Sequence, residues 1–185
     1  VACYVAKDSG RNRINVYCEE DEELNYHKSR INWANRIQEA LEQNHFRLFC
    51  QKIESLNQAQ LSEINFEILI RMKGSDGSLI SPALFIPAAE RFNLMGAIDR
   101  WVVSEALKLL STSPALLKHV NKCAINLSGA SITDEAFANL IMEQIRHLGI
   151  PPGKVCFEIT ETEAVTKLNQ AESFINSLRE FGCKF

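Results

Sequence analysis

The 185-residue chain has no CxxC pair and no Cys/His cluster at zinc-binding spacing, although it carries six cysteines. Cys3, Cys18, Cys50, Cys123, Cys156 and Cys183 are spread along it, several inside apolar runs where a free thiol packs as a small hydrophobe. A disulfide framework is unusual for a core of this size, so the expectation is a reduced, cytoplasmic protein. The four histidines (His27, His45, His119, His147) are scattered and form no catalytic or metal constellation. An excess of positive charge is also lacking. A net charge of −3 leaves no broad basic face for a DNA or RNA duplex. No apolar run approaches the roughly 18 residues a membrane span needs. The start "VACYVAKDSGRNR" does not read as a signal peptide. No membrane contact is expected from this segment, and any anchor of a longer parent would lie outside it.

What is present is ordinary in amount. Hydrophobic residues make up 46% and charged residues 23%, the balance of a globular domain with a sizeable core. The first seventeen residues hold a short helix, a turn at "DSG" and an alternating "RINVY", too little to fold alone. The acidic "CEEDEEL" reads as a solvated linker or a helix start. In "SRINWANRIQEALEQN", Ile31, Ala34, Ile37 and Leu41 form one helical stripe and Asn44 is a stop.

From Phe46 onward strands and helices alternate. "HFRLFCQKI" and "QLSEINFEILIRM" read as an antiparallel hairpin turned at "NQAQ". "KGSDGSLI" reads as a loop, and "SPALFIPAAERF" as a helix capped by Ser81, begun by Pro82 and shortened or kinked by Pro87. "AIDRWVVSEALKLL" is an amphipathic helix, and "NKCAINLSG" a strand. "TDEAFANLIMEQIRHLG" is a helix capped by Thr133 and ended by Gly149 and Pro151. "GKVCFEITET" is a strand, "NQAESFINSLREFG" a helix, and "CKF" opens another strand. This order predicts a parallel α/β fold after an antiparallel first strand, with about half of a (β/α)8 barrel present.

One apolar strand poses a chemical question. In "NFEILIR", Phe66, Ile68 and Ile70 share one face, and Glu67, Leu69 and Arg71 the other. A carboxylate in so apolar a segment needs a cation, a metal ion or an arginine as partner. The plain reading is a Glu67–Arg71 ion pair on a half-exposed strand. The same parity, however, puts Ala124, Asn126 and Ser128 on one face of their strand, and Cys156, Glu158 and Thr160 on one face of theirs. Glu67, Asn126 and Glu158 would then converge on the inner face of a barrel or sheet. Taken singly, Asn126 could cap a strand-to-helix turn, and Glu158 and Glu161 could be a first-turn acid and a solvated side chain. Taken together they are hard oxygen donors suited to Mg²⁺ or Mn²⁺. Asn126 and Glu158 lie late in their strands, where barrels carry their chemistry. Arg71 could pair with Glu67 or hold a phosphate as a planar fork.

These stretches carry a resemblance. "EIL" at 67–69 with "IR" after it, "GSDGSLISPALFIPAAERFNLMGAIDRWVVSEAL", "INLSG" and "FEITET" are four ordered motifs. Over residues 46–185 they resemble the amino-terminal part of an EAL domain, the cyclic-di-GMP phosphodiesterase family. Residues 1–17 resemble the last helix and strand of a GGDEF domain, with residues 18–45 as linker and connecting helix. The resemblance implies that Glu67, Asn126 and Glu158 are metal ligands and that Glu161 holds a catalytic loop. It implies substrate contacts from Gln51, Leu69, Arg71 and Asp99, the last to guanine. The implied chemistry is metal-assisted hydrolysis of cyclic di-GMP to pGpG, with Mg²⁺ or Mn²⁺ as cofactor and Arg71 neutralising a non-bridging oxygen.

The chain departs from the family pattern at three places. Ile68 stands where the signature has Ala, on the face turned to the helices. Lys52 replaces the usual proline after Gln51. The paired-aspartate motif and the later lysine and glutamate of the site do not occur in the chain, so this segment alone is expected to be inactive, and its open edge to favour a homo-oligomer. The competing reading is a degenerate EAL domain that senses cyclic di-GMP without cutting it. The presence of Glu67, Asn126 and Glu158 favours the enzyme. A third reading, a structural or dimerising domain, draws on the connecting helix at 28–43.

Overall fold

The computed structural model describes residues 22–54, 56, 64–159 and 168–185. The stretch that resembles a GGDEF tail, the turn at "NQAQ" and Glu161 all lie outside the described residues.

Helix α1 (Glu22–Glu42) starts earlier than the apolar stripe does, inside the acidic run. Its stripe buries Ile37 and Ala40 fully, with Trp33 and Leu41 packed at the margin. Asn44, at φ 56°, takes the left-handed conformation that ends the helix. The His45 N–H then returns to the Ala40 carbonyl at 2.9 Å, and strand β1 (Phe46–Ile53) begins.

Strand β1 pairs antiparallel with β2 (Ile64–Lys73), in register from Phe46 opposite Met72 to Ile53 opposite Asn65. A two-residue strand β3 (Leu79–Ile80) adds to the end of β2, where the sequence suggested only a loop. The turn between them is tight. Asp76 accepts from the Ser78 N–H at 3.0 Å and from its hydroxyl at 2.6 Å, and Gly77 supplies a φ of 82°.

Helix α2 (Pro82–Arg91) has Ser81 at its N-cap position without a capping bond from the side chain, and it runs on past Pro87. It buries Phe85, Ala88 and Ala89. Helix α3 (Met95–Thr112) follows, then a short α4 (Pro114–His119) that no sequence pattern signalled. At six residues, α4 is too short to show a period.

Strand β4 (Val120–Asn126) joins β2 in parallel, and β5 (Val155–Glu158) joins β4 in parallel, giving the order β1-β2-β4-β5. Between them lies α5 (Glu135–His147). Its cap is Asp134, whose carboxylate accepts from the Phe137 N–H at 3.1 Å, and not Thr133, whose hydroxyl donates to the Ala130 carbonyl. A carboxylate one residue closer to the first turn, already held by Arg100, has the better placement. Helix α6 (Leu168–Phe181) ends at Gly182, and Lys184 bridges in parallel to Cys156, so the next strand does begin at "CKF".

The alternation predicted from sequence is therefore the alternation observed, a mixed α/β arrangement with an antiparallel first strand. One sheet face contributes Phe66, Ile68, Met72, Ile125 and Phe157 to a single core with the helices. Phe46, Phe85 and Trp101 stack at its centre, with ring centroids 5.7 and 5.4 Å from Phe46. The other face carries the polar series.

Candidate active site

Across the ladder, the parity argument resolves into a row of side chains. Gln51 stands opposite Glu67, Glu67 is level with Ala124, and Asn126 is level with Glu158. The Asn126 amide nitrogen donates to Glu67 Oε1 at 2.7 Å. Lys122, two positions before Ala124 on the same face of β4, brings its ammonium to 3.9 Å from Glu158 Oε1. So Glu67 has a partner, and it is not Arg71. Arg71 donates from Nη1 to the Ile70 carbonyl and lies over the Phe49 ring, 5.9 Å from its centroid. The plain ion-pair reading of this strand does not hold among the described residues.

The carboxyl ends of the strands open into a cavity of about 280 Å³ between the sheet and helices α2 and α3. Leu69, Glu90, Asp99, Asn126, Ser128 and Glu158 line it. Asp99 is the buried carboxylate of α3. Its Oδ2 accepts from the Ser128 N–H at 3.0 Å, the Ser128 hydroxyl at 2.6 Å and the Ser131 hydroxyl at 2.6 Å. These bonds clamp the loop that follows Asn126. A further bond, from the Leu127 N–H to the Glu158 carbonyl at 2.9 Å, ties the same loop to β5.

Of the residues singled out in the sequence, Glu67, Asn126 and Glu158 come together on one face, and Leu69 and Asp99 line the cavity beside them. Gln51 and Arg71 share that sheet face but lie outside the cavity lining. Lys122 and Ser131 were not foreseen, nor was the bonding of Ser128 to Asp99. The strand parity that selected Asn126 also selects Lys122. No local signal marks Ser131, whose partner is 32 residues away. Cys156 also lies on the inner face, where burial pushes its thiol above the ordinary value and the nearby Lys122 offsets only part of that. Such a thiol stays protonated and is a poor nucleophile.

Residues 34–185 match the profile of the EAL domain. This chain belongs to the EAL domain family. Among its relatives is the cyclic di-GMP phosphodiesterase PdeB of Shewanella oneidensis, 38% identical over 186 residues, which span 100% of this chain and 21% of that protein. The cyclic di-GMP phosphodiesterase PdeF of Escherichia coli is 35% identical over 157 residues, 85% of this chain and 20% of that protein. In structure, the chain is similar to the FimX EAL domain of Pseudomonas aeruginosa, solved bound to cyclic di-GMP. The TM-score is 0.74 at 32% identity, over 82% of this chain and 60% of that one. The chain thus spans only about a fifth of the length of these two relatives. The family match begins at residue 34, inside α1, so the EAL domain takes in the second half of the connecting helix.

The inner face of this EAL domain can be tested for a metal. Among the described residues, no three His, Cys, Asp or Glu side chains cluster at ligating distance; the set singled out here is two carboxylates and an amide. All three can offer oxygen, the donor type that Mg²⁺ and Mn²⁺ prefer. Asn126 at present turns its nitrogen to Glu67, so ligation requires its amide to rotate and present Oδ1. The donor chemistry fits a hard divalent cation.

Proposed function

We propose that this EAL domain is part of a cyclic-di-GMP phosphodiesterase that hydrolyses the cyclic dinucleotide to pGpG. The observation that carries the reading is the convergence of Glu67, Asn126 and Glu158 from three strands beside a cavity at the strand ends. The relatives named for this activity and the solved neighbour with the dinucleotide bound support it.

Glu67, Asn126 and Glu158 would hold Mg²⁺ or Mn²⁺, with the Lys122 ammonium 3.9 Å from Glu158 Oε1. When bound, the metal supplies a water of lowered pKa and neutralises charge at phosphorus. Hydrolysis to pGpG would add a water oxygen to phosphorus, break the bond from phosphorus to one ribose 3′ oxygen and pass a proton of the water to that oxygen, leaving a 3′ hydroxyl and a 5′ phosphate. Arg71 holds a phosphate oxygen through its planar fork. Leu69 packs against the ligand, Asp99 offers a carboxylate to a guanine edge from the cavity wall, and Gln51 lies beside Glu67 as a further polar contact. Glu161 would steady the loop after β5. Residues 1–17, read as the end of a GGDEF domain, would place this unit behind a second domain in a cytoplasmic part of a longer protein.

The test is product analysis on the full-length protein that contains this chain. Cyclic di-GMP is incubated with Mg²⁺ or Mn²⁺, and pGpG is quantified by chromatography. Release that stops on adding EDTA is the expected result. Tight binding without release overturns the phosphodiesterase reading in favour of a receptor.

A further inference from the structure

Arg47 and Arg71 stand directly opposite each other across the β1–β2 ladder. Residues so paired share a sheet face with Cβ atoms about 4.5–5.5 Å apart, and like charges in that relation repel. The face is the one that carries the Gln51–Glu67 rung. The position is the carboxyl end of β2, four residues beyond Glu67, at the rim where barrels of this kind take their ligands. Each guanidinium is steadied by backbone. Arg47 Nη1 donates to the carbonyls of Asn44 and Phe46 at 2.7 Å each, and Arg71 Nη1 donates to the Ile70 carbonyl at 2.7 Å. Neither pairs with a carboxylate among the described residues. Nη1 is the only guanidinium nitrogen of either that hydrogen-bonds among them, and each fork has five N–H donors. Two arginines at facing positions of one sheet face, with no carboxylate partner among the described residues, offer a phosphate two cationic forks.

We propose that Arg47 and Arg71 form a two-guanidinium clamp on one phosphate group of the dinucleotide at the rim of this site. The inference rests on the cyclic-dinucleotide reading above and adds to it a residue, Arg47, that no motif marks. The repulsion between the two arginines is relieved when the phosphate enters, so part of the binding strength is built into the unliganded strand pair.

Isothermal titration of the full-length protein that contains this chain, without added metal, tests it, with cyclic di-GMP and, separately, with pyrophosphate, a probe that has no bases. Relative to the parent protein, Arg47→Gln should weaken both ligands roughly tenfold, the loss of one charge-assisted contact. Arg47→Lys, which keeps the charge and loses the fork, should recover only part. Thermal unfolding of Arg47→Gln without ligand should be unchanged or shifted upward, because a like-charge pair has been removed. In a double-substitution cycle, Arg47→Gln combined with Arg71→Gln should weaken binding by less than the product of the two separate losses, since both hold one group. If the parent protein binds cyclic di-GMP and Arg47→Gln binds it equally, the clamp is overturned while the functional reading stands. If it binds pyrophosphate in an Arg47-dependent way but not cyclic di-GMP, the clamp stands and the dinucleotide reading fails. Binding of neither ligand overturns both.

Discussion

The Asn126 amide nitrogen lies 2.7 Å from Glu67 Oε1 and donates to it across two strands, although the two residues are 59 positions apart in the chain. Backbone register alone would put Glu67 level with Ala124, so Asn126 reaches back along β4 to make this bond. The pair is a hydrogen bond without a cation and a ligand pair with one. That dual character makes the site sensitive to its occupant.

Asn126→Asp separates the two states. Two carboxylates at this distance repel when nothing lies between them and share a divalent cation well. Thermal unfolding of the variant should fall by a few degrees relative to the parent chain in EDTA, a cost of about 1 kcal/mol. Millimolar Mg²⁺ should raise it by more than it raises the parent. An equal response of both proteins to Mg²⁺ would contradict the placement of a cation here.

Asp99 is the buried anchor of the loop after β4, and three donors converge on one of its oxygens. Asp99→Ala leaves the Ser128 N–H and two hydroxyls without that acceptor, at about 1–3 kcal/mol for each buried group that finds no other. Ser131→Ala removes one donor and should cost about 1 kcal/mol. Urea unfolding followed by circular dichroism should show both losses, the first clearly larger. A reversed order would mean that the loop is held by other contacts.

Phe85 is fully buried, and its ring stacks on Phe46, which in turn stacks on Trp101. Phe85→Ala should cost about 3–5 kcal/mol, through lost burial and the cavity left behind. The midpoint of chemical unfolding reads this directly. A loss under about 1 kcal/mol would show that the α2–β1 contact is not part of the core.

Burial pushes the thiols of Cys123 and Cys183 up to about 12 from an ordinary 9.0. The unfolded chain releases these protons first, so between roughly pH 9 and 12 the folded state binds more protons than the unfolded one. The stability from the neutral thiols is fully present below pH 9 and is lost as pH rises through that window. Unfolding midpoints measured from pH 8 to 11 should fall accordingly, and replacing both cysteines with alanine should flatten the slope. At pH 8 a thiol reagent should label the exposed Cys50 ahead of either buried thiol in the folded chain.

The inner and outer faces of the sheet were legible in the sequence because a strand has a period of two, which holds along β2 and β4 beyond the irregularity at Ile64 and Asn65. Glu67, Asn126 and Glu158 were found that way, and the same rule would have found Lys122. Register was harder to read. That Asn126 bonds to Glu67 depends on how β2 and β4 align, and alignment comes from the core between sheet and helices. Asp99 was legible as a residue of interest, but not its serine partners, because bonds over 29 to 32 residues leave no periodic trace. Small elements escaped for a related reason. Helix α4 and strand β3, six and two residues long, are shorter than any pattern that could reveal them. The exchange of Thr133 for Asp134 at the cap of α5 is a choice between adjacent residues that both suit the role, decided by the Arg100 contact.

The central claim is that the carboxylate of Glu67 serves a metal-assisted phosphodiester cleavage. The measurement is the rate of pGpG release from cyclic di-GMP by the full-length protein, parent against Glu67→Gln, at saturating Mg²⁺ or Mn²⁺. The substitution keeps the shape and a hydrogen-bonding oxygen toward Asn126 but removes the charge that holds a cation. The account predicts a loss of about 100-fold or more in rate with an unchanged fold, in line with removing a group that stabilises transition-state charge. Hydrolysis by Glu67→Gln at the parent's rate would contradict it.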